Sequence, residues 1–123
     1  MATYKEIKGV TVQTLDSDPE LNVGAWATGG SLNNGRGYIS GGAVGTQTAT
    51  ISAGGYGTTS LNYSESYNGT SWSETAEINT ARYDMERLGT ATAAFHCGGE
   101  QTPTLDIVES WNGSAWTETT DMP

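Results

Sequence analysis

The sequence predicts an all-β fold built from repeated four-stranded antiparallel sheets, and three observations predict it. An eight-residue phrase occurs twice, ESYNGTSW at Glu65–Trp72 and ESWNGSAW at Glu109–Trp116, 44 residues apart. Gly, Thr and Ser are abundant, and short β-prone runs lie between turn signals. No window repeats apolar residues at the three- and four-residue spacing of a helix. Hydrophobic residues make up only 35 %, yet four Trp and six Tyr placed periodically separate the chain from a disordered one.

Residues 1–21 stand outside the repeat. Tyr4–Leu15 alternates in part through Ile7, Val10, Val12 and Leu15, which suits one or two strands, and Asp16-Ser17-Asp18-Pro19-Glu20 is a polar link. Two roles fit this segment equally well: an anchor or oligomerisation arm, and an ordinary capping strand. The opening MATYKEIKG lacks the apolar core of a secretory signal. No run approaches the roughly 18 apolar residues of a membrane-spanning helix. Neither signal-directed export nor membrane insertion is expected.

Residues 22–123 form the repeat region. A partial leading unit comes first: Asn22, Trp26, Leu32, Asn33 and Arg36 lie 46 residues before Asn68, Trp72, Ile78, Asn79 and Arg82. Two units follow, at about 36–79 and 82–123. Gly45–Asn79 aligns with Gly89–Pro123 without a gap, with identities that include Gly45, Thr46, Thr48, Ala49, Gly54, Gly55, Glu65, Ser66, Asn68, Gly69, Trp72, Glu74 and Thr75. A period of this length marks propeller blades or solenoid units.

Within the last unit, Tyr83–Gly89 leads into Thr90–Cys97, a small and β-branched run that stops at Gly98-Gly99. Leu105–Trp111 alternates, Asn112-Gly113 predicts a type I′ hairpin turn with positive φ at both residues, and Ala115–Thr119 returns carrying Trp116. Each unit therefore reads as four short strands in a meander. One such sheet cannot bury both faces, so the sheets are expected to stack, each Trp packing against the next sheet.

These residues resemble kelch repeats, whose unit carries an early Arg, a Gly-Gly after the second strand, an acidic-x-aromatic triplet in the third and a Trp in the fourth. Arg36, Gly54, Gly55, Glu65, Tyr67 and Trp72 fill these places in one unit, and Arg82, Gly98, Gly99, Glu109, Trp111 and Trp116 in the next. The resemblance covers about Asn22 to Pro123 and implies blades of a β-propeller. The chain departs from cellular kelch proteins in putting Asn-Gly where Asp-Pro is usual and in having a short, polar first strand. This Gly- and Thr-rich dialect is similar to repeat proteins of marine bacteriophages, which are virion structural components such as fibre, tail or head-surface proteins. The resemblance thus implies a virion protein without enzymatic activity, with host-surface adhesion as an added role. Propellers have four to eight blades and this chain encodes two, so it is expected to close a ring with its own copies. A trimer, giving six blades, is favoured, with other virion proteins as further partners. Two alternatives stand beside this reading: a protein- or glycan-binding propeller module cut from a longer chain, and a propeller-type glycan hydrolase.

Charge narrows the partners. Five Lys plus Arg stand against fourteen Asp plus Glu, a formal net charge of −9, so nucleic acid and anionic membranes are poor partners. The single cysteine, Cys97, excludes an intrachain disulfide and reads as a small buried hydrophobe. The only histidine, His96, is adjacent to it. Neighbouring strand residues point to opposite faces, so the two make neither a nucleophile pair nor, by themselves, a zinc site, which needs three or four ligands. His96 is expected to be a strand residue with one hydrogen bond. Asp16-Ser17-Asp18 starts like a calcium loop but lacks the Gly and Glu that complete one. The Gly-rich runs near Gly45 and Gly55 have no following Lys-Ser/Thr and read as turns, not a phosphate loop. Glu65 and Glu109 repeat, as do Glu74 and Glu118, and a catalytic carboxylate pair is normally asymmetric; these read as hydrogen-bonding residues of the fold. No catalytic residue, metal or cofactor is expected. Residues that differ between units at strand ends are the better binding candidates: Tyr38, Tyr56, Glu100, Gln101 and Asp106, with aromatics stacking on the apolar faces of a host-surface glycan.

Overall fold

The computed structural model describes residues 28–39 and 44–123. The expectations for the segment 1–21 and for Asn22 and Trp26 lie outside the described residues. Within them the protein is all-β, with two four-stranded antiparallel sheets and no helix. The first sheet runs in order through β1 (Gly45–Thr46), β2 (Ala49–Ala53), β3 (Ser64–Tyr67) and β4 (Trp72–Glu74). The second runs through β5 (Glu86–Thr90), β6 (Ala93–Cys97), β7 (Val108–Trp111) and β8 (Trp116–Glu118).

The sequence offset is also the structural offset. Ala49–Ala53 in β2 lies 44 residues before Ala93–Cys97 in β6, and Trp72–Glu74 in β4 lies 44 before Trp116–Glu118 in β8. Registers match as well: Thr50 faces Tyr67 as Ala94 faces Trp111, and Tyr67 faces Trp72 as Trp111 faces Trp116.

The duplicated phrase is a hairpin, but not the predicted one. Asn68 to Ser71 form a four-residue loop between the paired Tyr67 and Trp72. Among the loop residues only Gly69 has a positive φ, 95°, as does Gly113 at 94°. The type I′ expectation is corrected by the asparagine side chain. Asn68 Oδ1 accepts the N–H groups of Thr70 (2.9 Å) and Ser71 (3.0 Å), and Asn112 Oδ1 accepts those of Ser114 and Ala115 (both 2.9 Å). An Asx turn of this kind needs positive φ only at the glycine. A second correction concerns the run Thr90–Cys97, read as one strand. Thr90 closes β5, and residues 91–92 turn into β6 without Gly, Pro, Asn or Asp to mark the bend.

The sheets stack face to face. Cross-strand partners share a face and alternate along each strand. One face of the first sheet carries Ile51, Ala53 and Ser64, exposed by 1 %, 0 % and 2 %. Against it lies the face of the second sheet formed by Ala94, His96, Glu109, Trp111 and Trp116, all buried. Trp116 Nε1 donates to Ser64 Oγ across the interface at 3.3 Å, and its ring stacks on His96 (4.5 Å between centroids) and Trp111 (5.2 Å). Trp116 thus packs on the preceding sheet, and Trp72 Nε1 reaches back in the same sense to Gly30 O at 3.0 Å. The expectation that each Trp packs on the following sheet is reversed, because the inward row of the second sheet is the row that carries Trp116. Val44, Ile78 and Met85 complete the core.

Candidate functional site

Two constructions recur in the structure, one that holds the sheets and one that carries exposed chemistry. The first is a buried ion pair in each unit. Arg36 meets Glu65 at 2.6 Å and Arg82 meets Glu109, with all four side chains fully excluded from solvent. Each carboxylate also collects the chain that enters its sheet. Glu109 Oε2 accepts Asn79 N (2.8 Å) and Nδ2 (2.9 Å), and Oε1 accepts Thr80 N (3.3 Å). Glu65 holds Asn33 N (2.7 Å), Asn33 Nδ2 (3.0 Å) and Asn34 N (3.3 Å) in the same pattern. Burial pushes the Glu65 carboxyl up, but the Asn33 N–H, Arg36 and the Asn34 N–H together outweigh it, and the net position is below the usual carboxylate value. Arg82 spends its other donors on Gly98 O (2.9 Å), Thr80 O (3.1 Å) and His96 O (3.5 Å).

The double glycines serve this crossing. Gly54 has φ 66°, and a Cβ there would lie 2.3 Å from Met85 Cε and 2.6 Å from Arg82 O. Gly55 N donates to Arg82 O at 2.9 Å. The signature Arg, Gly-Gly and Glu thus meet at one point, where the connection between the sheets passes over the end of β2. Each of these two carboxylates accepts hydrogen bonds on both oxygens, from the paired Arg and from the chain that enters its sheet. Asn33 and Asn79 belong to it and escaped the signature, although both stand three residues before the Arg.

His96 lies in the same layer. It is fully buried, and neither ring nitrogen has a hydrogen-bond partner, which corrects the single bond expected of it. Burial first, then Arg87 and Arg82, lowers its pKa from 6.5 to about 3, so the ring is held neutral. Cys97 is only partly buried and points to the other face. Among the described residues no group of three or more His, Cys, Asp or Glu is placed to hold a metal ion.

The second construction is a cleft of about 390 Å³ lined by Tyr38, Tyr56, Tyr83, Asp84 and Glu100. It sits where the chain leaves β2 and β6 and where it approaches the first strand of each sheet. Tyr56 pairs with Gly37 through two bonds of 2.9 Å, and Glu100 pairs with Tyr83 at 2.8 and 3.1 Å. Asp84 N donates to Tyr38 O at 3.2 Å and ties the two units together. The three rings touch edge to face, with centroids 5.1 to 6.0 Å apart. Tyr38 and Asp84, equivalent positions in the two units, have φ of 51° and 52°, a left-handed conformation that non-glycine residues rarely adopt. The Tyr83 hydroxyl donates to Glu100 Oε2 at 3.1 Å, and that bond raises its pKa.

Three of the five predicted binding residues, Tyr38, Tyr56 and Glu100, are therefore brought together. Gln101 is exposed beside Glu100 without lining the cleft. Asp106 is exposed elsewhere, its carbonyl accepting Met122 N at 2.9 Å. Tyr83 and Asp84 complete the cleft and were missed. Their signal was their position directly after Arg82, where the preceding unit has Gly37 and Tyr38 after Arg36. No protein-family model matches the chain, and no curated protein is significantly similar to it.

Proposed function

We propose that this protein is a non-enzymatic structural module whose kelch-like, four-stranded sheets continue their stacking with other copies of the chain, forming a propeller-like ring on a virion surface. A trimer of two-sheet chains would supply six sheets, within the range of closed propellers. One observation carries the assembly reading. Positions related by the repeat are buried in the first sheet and exposed in the second. Val44, Ile51 and Ile78 are 4 %, 1 % and 2 % exposed, whereas their equivalents Leu88, Phe95 and Met122 are 54 %, 43 % and 40 % exposed. The second sheet thus presents outward the same face that the first sheet buries. A patch of large apolar side chains on an otherwise polar, acidic surface marks an association site.

Further support comes from Glu65 and Glu109, whose carboxylates are fully committed to the ion pairs and to the chain entering each sheet. Among the described residues no helix is long and apolar enough to cross a membrane. The virion assignment rests on the resemblance of the Gly- and Thr-rich repeat, and adhesion to a host surface is its added role. Labelling purified particles with an antibody against this chain, viewed by negative-stain microscopy, tests it. Regular surface labelling is expected, and absence of the chain from purified virions would overturn the assignment.

A further inference from the structure

The tyrosine cleft is separate from both the ion-pair layer and the exposed sheet face. Its scaffold repeats, because the pairing of Gly37 with Tyr56 recurs as Tyr83 with Glu100. Its side chains do not repeat, since Tyr38 and Tyr56 in one unit become Asp84 and Glu100 in the next. Packing of the sheets explains the shared backbone but not this divergence. Two left-handed non-glycine residues, Tyr38 and Asp84, stand at the cleft, and Tyr38 is 65 % exposed.

The chemistry of the lining has one sign. Among the described residues that line the cleft, the charged groups are the carboxylates of Asp84 and Glu100, with no Lys or Arg. Carboxylates accept hydrogen bonds and donate none. The faces of the tyrosine rings are the negative part of their quadrupole. The Tyr83 hydroxyl is already spent on Glu100. The chain as a whole carries −9. A neutral sugar brings as many acceptors as donors and would find few donors here. A cationic group brings donors only and is attracted by both rings and carboxylates.

We propose that this cleft binds an organic cation, an alkylammonium or guanidinium group, held against the tyrosine rings and the carboxylates of Asp84 and Glu100. The group belongs to a free amine or to a Lys or Arg side chain displayed by a partner protein. The site does not depend on how the sheets assemble.

The test is a proton NMR titration of the full chain with tetramethylammonium and methylguanidinium chlorides at low ionic strength, with sodium chloride as the ionic control. Saturable shifts of the Tyr38, Tyr56 and Tyr83 ring signals are expected for both organic cations and not for sodium. Asp84→Asn is the informative variant, because Asn tolerates the left-handed conformation and the backbone is preserved. It should weaken binding about threefold, as should Glu100→Gln, in line with exposed charge pairs. Tyr38→Asn should weaken it while leaving the circular dichroism unchanged. A lysine-bearing peptide that binds at least about tenfold more tightly than the free amine assigns the group to a partner protein, and equal affinity assigns it to a free amine; either result supports the site. Three results would overturn the proposal: no saturable shift, binding unaffected by both carboxylate variants, or stronger shifts of the same rings by uncharged methyl glycosides.

Discussion

Lowering the pH should destabilise this protein through one buried ring. His96 is fully buried, stacked on Trp116, with both nitrogens unpartnered, and its pKa falls from 6.5 to about 3. The unfolded chain binds a proton at this histidine below about pH 6.5, whereas the folded chain stays neutral until about pH 3. Folding stability is therefore intact above pH 6.5 and is lost progressively between pH 6.5 and pH 3, by about 1.4 kcal/mol per pH unit. From pH 7 to pH 5 the loss comes to about 2 kcal/mol, a large share of the stability of a small domain. Arg87 and Arg82 add to the effect of burial by repelling a protonated imidazole, while Glu109, the cross-strand neighbour of His96, is paired with Arg82. Urea unfolding followed by tryptophan fluorescence at pH 7 and pH 5 measures this directly. The comparison is with His96→Phe, which keeps a ring against Trp116 and removes the titrating group. Glu65 loses its stabilising charge only below its unfolded value of 4.5, so its effect largely cancels in this window. The wild-type chain should lose about 2 kcal/mol more than the variant. Equal losses, or an NMR titration of this single histidine near its ordinary pKa, would refute the reasoning.

Other consequences follow from the layer beneath the connection between the sheets. Glu109→Ala strands Arg82 and the Asn79 N–H in a buried site and should cost about 3–5 kcal/mol in urea unfolding. Arg82→Ala should cost a similar amount, and the double variant clearly less than the sum, because each single change leaves a buried charge unpaired; additive losses would contradict the coupling. Gly54→Ala drives a Cβ into Met85 and the Arg82 carbonyl at positive φ and should cost about 3 kcal/mol. Gly57→Ala, where the nearest atom lies at 3.5 Å, should stay within about 0.5 kcal/mol of wild type in the same assay.

The architecture was legible because the repeat wrote it twice. The offset between Glu65–Trp72 and Glu109–Trp116 is the offset between the two sheets. The signature residues were recognisable as a set, yet their joint purpose was hidden, since Arg82, Gly54 and Glu109 meet only when the connection crosses one sheet and enters the next. The hairpin was placed correctly, but its form depended on the Asn side chain replacing a backbone turn, which an Asn-Gly dipeptide does not reveal. His96 was misread because its ring is buried against Trp116 and opposite Arg87 on the neighbouring strand, with no partner for either nitrogen, and an isolated strand sequence does not reveal that packing. In the cleft, divergence between units pointed to Tyr38, Tyr56 and Glu100. Tyr83 and Asp84 were passed over because they diverge from a glycine and a tyrosine that lie upstream of the gap-free alignment. Asp106 diverges too, but from Asn62 on a part of the loop that turns away.

The most direct test of the central claim is the solution mass of the full 123-residue chain, by light scattering or native mass spectrometry, beside that of Phe95→Glu. Phe95 is the equivalent of the buried Ile51 and lies exposed on the outward face of the second sheet. The account predicts a discrete oligomer, a trimer in its favoured form, that dissociates in the variant while the sheets remain folded. A wild-type chain that is monomeric at every concentration, or an oligomer indifferent to the charge at Phe95, would contradict it.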